Sequence, residues 1–225
     1  MGFFSKFFGS PAVPVSQSGR ARFAVIDTET TGLDPRKGDR IIELAAVTFD
    51  ARFNEVGRWE SLIHPGDTPV RNSDLHGVTE EMLQHAPAFG QVYRSFATFI
   101  DGTVRIAHNA PFDAGMLDAE LSRIHPVDDG ELMGFVDSID IASQQLPKGP
   151  YRLSALLERL GLENPRAHSA AADAAATGAM LAALFGKDID LLSYNLLRQA
   201  PAFDGEHAIQ WGLPMGTPLP RPQEV

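Results

Sequence analysis

Cysteine is absent from the 225-residue chain, which excludes disulfides, zinc–thiolate centres and thiol nucleophiles. Also missing is any stretch near the roughly 20 apolar residues that a membrane helix requires. The start, Met1-Gly2-Phe3-Phe4-Ser5-Lys6-Phe7-Phe8, is rich in phenylalanine, but Lys6 interrupts it and Gly9, Ser10 and Pro11 follow. It is too short for a signal peptide and has no basic leading region. Lys6 also stands where a myristoylation signal wants Ser or Thr. No membrane partner is expected, and the cytoplasm is the default location. Basic residues are in deficit: 19 against 29 acidic ones, a net charge of −10. Such a field repels phosphates at long range. A nucleic-acid function would need a local basic patch, bound cations or a partner.

What is present is an ordinary globular composition, 44% hydrophobic, enough for a core of normal size. Residues 1–19 read as a flexible N-terminal arm and 199–225 as a Pro-rich C-terminal tail. Between them, 20–198 reads as one α/β domain. Phe23-Ala24-Val25-Ile26 has the unbroken apolar character of a strand buried on both faces. Ile41 to Phe49 and Arg58 to Ile63 read as two further strands in an antiparallel meander. Apolar spacing predicts a helix from Phe89 to Ile100, then a strand from Val104 to Ala107. Pro111 suits the first turn of a helix running to about Ile124. Gly134-Phe135-Val136 reads as a last strand, with a helix from Ser138. Ser154 opens an amphipathic turn that stops at Gly161, and 169–185 is alanine-rich and helical. A meander followed by alternating helices and strands implies a mixed sheet flanked by helices.

Three clusters could carry chemistry. Asp27 and Glu29 follow the first apolar run, and a period of two points both carboxylates to one side. They could bind a cation; equally, Asp27 could cap a turn while Glu29 meets Arg36 or Arg40. In His108-Asn109-Ala110-Pro111-Phe112-Asp113 the acid lies in a first helical turn, where it could simply match the helix dipole. In His168-Ser169-Ala170-Ala171-Ala172-Asp173 the two polar ends do not share a helix face. His168 therefore belongs in the loop before the helix and Asp173 on its first turns. Four carboxylates without basic partners in their motifs would repel one another unless divalent cations neutralise them. Oxygen ligands favour magnesium or manganese, and two such ions about 4 Å apart suit in-line phosphodiester displacement. A neighbouring histidine suits removal of a proton from attacking water.

Asp27-Thr28-Glu29-Thr30-Thr31-Gly32, His108 to Asp113, and His168 with Asp173 resemble the three motifs of the DEDDh 3′–5′ exonuclease superfamily. Within it, the chain is most similar to the proofreading epsilon subunits of bacterial DNA polymerase III. Arg40-Ile41-Ile42-Glu43-Leu44 and His76-Gly77-Val78-Thr79 match further stretches of that group in order, and the likeness spans about residues 22–186. The resemblance implies a ribonuclease-H-like fold with a five-stranded mixed sheet, and an exonuclease domain over 20–198. It implies that Asp27, Glu29 and Asp173 hold one Mg2+ or Mn2+ ion, with Asp27 bridging to a second near Asp113. His168 would be the general base. Thr28, Thr30 and Leu33 would meet the terminal nucleotide on one side, Asn109 and Phe112 on the other, with His76 either beside them or buried and structural. Asp137 reads equally well as the N-cap of the helix at Ser138 and is left out of the metal set.

The expected activity is release of nucleoside monophosphates from the 3′ ends of single-stranded or mispaired DNA, with a polymerase subunit as a partner through a tail. The alternatives are an exoribonuclease of the same fold and a non-catalytic nucleic-acid- or polymerase-binding module. All five catalytic positions are intact, which favours the enzyme.

Overall fold

In the computed structural model, which describes residues 21–124 and 134–185, strand β1 (Phe23–Thr30) is the centre of the sheet. It pairs antiparallel with β2 (Ile41–Phe49) and parallel with β4 (Val104–Ala107). Strand β3 (Glu55–Leu62) adds antiparallel to β2, and β5 (Phe135–Asp137) adds parallel to β4. The order is β3-β2-β1-β4-β5, the five-stranded mixed sheet expected. Around it lie α1 (Ser73–His76), α2 (Glu80–Leu83), α3 (Phe89–Ile100), α4 (Ala110–Ile124), α5 (Ser138–Gln145), α6 (Leu153–Leu160) and α7 (Ala170–Phe185). The arm 1–19 and the tail 199–225 lie outside the described residues.

Strand alternation divides the core into two layers. Phe23 and Val25 of β1 and Val47 and Phe49 of β2 pack with Leu156 and Leu157 of α6 and with Ala174, Met180 and Leu181 of α7. Ala24 and Ile26 of β1 and Leu44 and Ala46 of β2 pack on the other face with Phe89 and Phe96 of α3 and Met116 and Leu117 of α4. The alanines of α7 let it lie close on β2. At Gly178 even one methyl group would fall 2.1 Å from the Phe49 ring, so only glycine leaves room for that contact.

Two strand boundaries differ from the expectation by more than one residue. Strand β1 does not stop at Ile26 but runs on to Thr30. Asp27 and Glu29 are therefore strand residues, held in register opposite Ala45 and Glu43. Strand β3 begins at Glu55 rather than Arg58, because Asp50 closes the preceding turn early. Its carboxylate accepts the backbone N–H groups of Arg52 and Asn54, while Phe53 takes a φ of 55° and stacks on Phe23. As an edge strand with no fully buried residue, β3 lacks the apolar alternation that would mark its start. The short helices α1 and α2 carry too few turns for a periodic signal.

Candidate active site

The parity that builds the two layers also sorts the polar residues at the end of β1. Asp27 and Glu29 continue the Phe23, Val25 row and face the α7 layer; Thr28 continues the Ala24, Ile26 row and faces α3 and α4. Buried Thr28 donates its hydroxyl to Asp113 Oδ1 at 2.7 Å. Thus Thr28, expected against the substrate, has its polar atom engaged inside the protein.

Asp113 sits in the first turn of α4. That turn is pinned from β5: Asp137 Oδ1 accepts the N–H of Asn109, which has a φ of 68°, and also the N–H of Ile139. The second bond caps α5, as one reading of Asp137 foresaw. His108 is fastened to the same place by a 2.8 Å contact between its Nδ1 and the Ser138 hydroxyl. Burial holds its pKa below the ordinary value.

From the other layer, α7 brings Asp173, and the loop before it brings His168. His168 is exposed and takes a φ of 65°. Its N–H donates to Asp173 Oδ2 at 3.1 Å, and the side-chain amide of Asn164 donates to Asp173 Oδ1. Donor atoms of Glu29, His168 and Asp173 all lie within 4.8 Å of one another. A cavity of about 610 Å3 opens beside His168 and Asp173, walled by Leu153, Leu157 and Leu162.

The electrostatics are those of charge gathered without compensation. Burial, then Asp113, Asp173, Glu29 and Glu43, pushes the Asp27 carboxyl well above the usual range. Glu29 is pushed up to about 8 by burial, then by Glu43, Asp173 and Asp113. Asp113 is raised by burial to about 7 although the Thr28 hydroxyl opposes the shift. Asp173 is raised by burial, against the pull of His168 and Asn164. Among the described residues no salt bridge reaches Asp27, Glu29, Asp113 or Asp173. Arg36 pairs with Asp34 and Arg40 with Glu120, so neither meets Glu29. Four carboxylates, all raised chiefly by burial, with no cationic side chain among them, form an oxygen donor set suited to hard divalent cations, and the His168 imidazole stands beside them.

The other expected contacts divide by exposure. Leu33 is 82% exposed beyond the end of β1, and Asn109 is exposed at the start of α4. Phe112 is half-buried against the core. Thr30 turns its hydroxyl to the Gly32 carbonyl. His76 is buried, with Nε2 on the Arg71 carbonyl and Nδ1 accepting the Val78 N–H. Both its ring nitrogens serve the turn around α1, the structural reading of that residue.

Two participants were missed. Glu43 stands opposite Glu29 in the β1–β2 ladder, with its carboxyl pushed up to about 7 chiefly by burial. An acid in the inward row Glu43, Ala45, Val47, Phe49 was a readable signal. Asn164 offers no such sign, since nothing in the sequence says that its loop folds back onto Asp173.

The sequence profile of the exonuclease family matches residues 24–181. The DNA polymerase III subunit epsilon of Rickettsia typhi is 35% identical over 170 residues, 73% of this chain and 74% of that protein. The same subunit of Treponema pallidum is 40% identical over 158 residues, 68% and 71% of the two chains. The fold is also that of the nuclease domain of 3′hExo, a DEDDh family member, with a TM-score of 0.64 at 16% identity, covering 75% of this chain and 93% of that one. The profile takes in both the β1 carboxylates and the His168–Asp173 segment, and the chain belongs to the exonuclease family, as a 3′–5′ exonuclease of the DEDDh type.

Proposed function

We infer that this exonuclease removes nucleoside monophosphates one at a time from single-stranded or mispaired 3′ ends of DNA. In this reading Asp27, Glu29, Asp113 and Asp173 hold two magnesium or manganese ions, and residues 20–198 form the catalytic unit. The observation that carries it is the convergence of uncompensated carboxylates from β1, α4 and α7 beside an exposed imidazole. The family is divalent-metal dependent. Bound there, such ions supply Lewis-acid stabilisation of the charge that builds on the scissile phosphate.

The chain's own groups do the rest. His168 takes a proton from the attacking water on a ring nitrogen, and the Asp173 carboxylate beside it stabilises the imidazolium so formed. The exposed Leu33 and the half-buried Phe112 hold the terminal base by contact and stacking, with little sequence preference. A paired end must first unstack, at roughly 1–2 kcal/mol per step, so frayed or mismatched ends react faster. With a net charge of −10, binding is weak and salt-sensitive, and digestion is distributive unless a partner tethers the enzyme. The naming of the relatives as polymerase III subunits supports a polymerase in that role, and in this reading the contact is made through a tail, in the cytoplasm. Among the described residues no helix is long and apolar enough to cross a membrane.

The test uses matched DNA and RNA oligonucleotides labelled at the 5′ end, with free or blocked 3′ hydroxyls, in magnesium or manganese. A descending ladder that is faster on DNA and absent from blocked ends is expected. Immediate release of short labelled fragments, equal cutting of a circle, or a clear preference for RNA would overturn the substrate assignment.

A further inference from the structure

The face of β2 that meets α7 carries Glu43, Ala45, Val47 and Phe49 at strand spacing. Its last three residues make ordinary packing contacts: Ala45 with Ala170 and Ala171, and Val47 and Phe49 with the body of α7. Glu43 extends the row to the point where α7 begins. There its Oε2 accepts the N–H of Ala170, the first residue of the helix, at 3.3 Å. An opening N–H group of a helix has no carbonyl of its own to bond and needs an acceptor from elsewhere. Here that acceptor comes from a strand 127 residues earlier in the chain. Arg166, on the same loop as His168, adds an attraction for the Glu43 carboxylate.

The position of this bond gives it consequence. Ala170 lies two residues after His168 and three before Asp173. Ser169 between them turns its carbonyl to the N–H groups of Ala172 and Asp173. Among the described residues, the segment bearing the imidazole and the α7 carboxylate is thus tied to the sheet by this polar contact, directly across the ladder from Glu29. A helix end held only by alanine methyls could slide or fray, because small side chains interlock little. A fixed carboxylate acceptor removes that freedom.

We propose that Glu43 is a positioning residue that clamps the start of α7, and so sets where His168 and Asp173 stand relative to Asp27 and Glu29. The clamp rests on the roles inferred above for His168 and Asp173. It predicts that reach and acceptor capacity matter at position 43, and that negative charge does not. Glu43→Gln keeps an oxygen at the same reach. Glu43→Asp keeps the charge but is one methylene too short, and Glu43→Ala removes the group.

Amide hydrogen exchange at Ala170 in the metal-free protein should quicken about two- to tenfold in the Asp and Ala variants, the scale of losing one hydrogen bond, and stay near the parent rate in the Gln variant. In steady-state assays kcat should fall about 10- to 10²-fold in the Asp and Ala variants, as for a reacting group misplaced by about 1 Å. KM should change less than about threefold, and Glu43→Gln should restore kcat to within about threefold of the parent. If Glu43→Ala does not fold, the Asp and Gln pair decides alone. Unchanged exchange in the shortened variants would overturn the clamp, and so would fast exchange with undiminished kcat. A Gln variant as slow as the Asp one would overturn it by showing that an acceptor oxygen at the same reach does not suffice. If His168→Ala proves fully active, the roles in the site are wrong, while the exchange measurement still judges the clamp itself.

Discussion

The Thr28 hydroxyl and the Asp113 carboxylate meet at 2.7 Å inside the protein, joining the central strand to α4. The bond stabilises the ionised form of Asp113 against its burial. Replacing Thr28 with Val keeps the shape and removes the donor. Asp113 then titrates higher still, so at pH 7 less of it is ionised and able to bind a cation. The expected result is a loss of activity on the order of tenfold at pH 7, recovering at higher pH, with Thr28→Ser near the parent. A pH series of initial rates for the three proteins checks it.

His168→Ala should lower kcat by about 10²–10⁴-fold, the contribution of a positioned general base. Metal and oligonucleotide binding should be retained, because the His168 backbone N–H that donates to Asp173 survives the substitution. The part of the low-pH limb that a histidine base imposes on the rate should disappear in the variant, leaving the part set by protonation of the metal-binding carboxyls. An unaltered profile would assign His168 to structure alone.

The raised carboxyls make a prediction about the metal-free protein. Glu29 titrates at about 8, and Glu43 and Asp113 at about 7, each above its unfolded value. The folded state therefore holds more protons than the unfolded one. Its stability is full below about pH 4 as far as these groups are concerned, and is lost as pH rises toward about 8. In chelator, Tm should fall between pH 5 and 8, and magnesium or manganese should reverse the fall, by about 2.7 kcal/mol at a concentration of 100 Kd. Asp27→Asn should remove part of the repulsion. Its Tm in chelator at pH 8 should exceed the parent's while cleavage drops about 10²-fold or more. Calorimetry across pH, with and without metal, decides the matter.

Away from the carboxylates, Glu120 is 1% exposed on α4 and receives Arg40 through two bonds, at 2.6 and 2.9 Å. Arg40 also donates to the Pro65 carbonyl, and its backbone N–H goes to the Thr31 hydroxyl, so one pair fastens α4 to the segment after β1. Removing a single partner leaves the other buried charge unpaired. Glu120→Ala should cost about 3 kcal/mol in denaturant unfolding, the low end for such a loss, because the Arg40 side chain keeps 20% exposure.

How much of this was legible beforehand depends on the reach of each interaction. Local signals sufficed wherever the physics is local. The apolar run of β1, the spacing of Phe89 to Ile100, Pro111 at the start of α4 and Gly161 at the end of α6 each mark an element within a few residues. The three acidic motifs are short, and their composition alone pointed to cations. What the sequence could not settle was which groups meet across the layers. Thr28 and Asp113 are separated by 85 residues, and Glu43 and Ala170 by 127. Such pairs form only once the sheet has assigned each strand residue to a face and the helices have docked on it. His76 shows the same division from the other side. Its composition allowed a substrate role or a structural one, and only the folded turn shows both ring nitrogens occupied. Residue identity determines what a side chain can do; tertiary packing decides which partner claims it, because a buried polar atom left without one is costly.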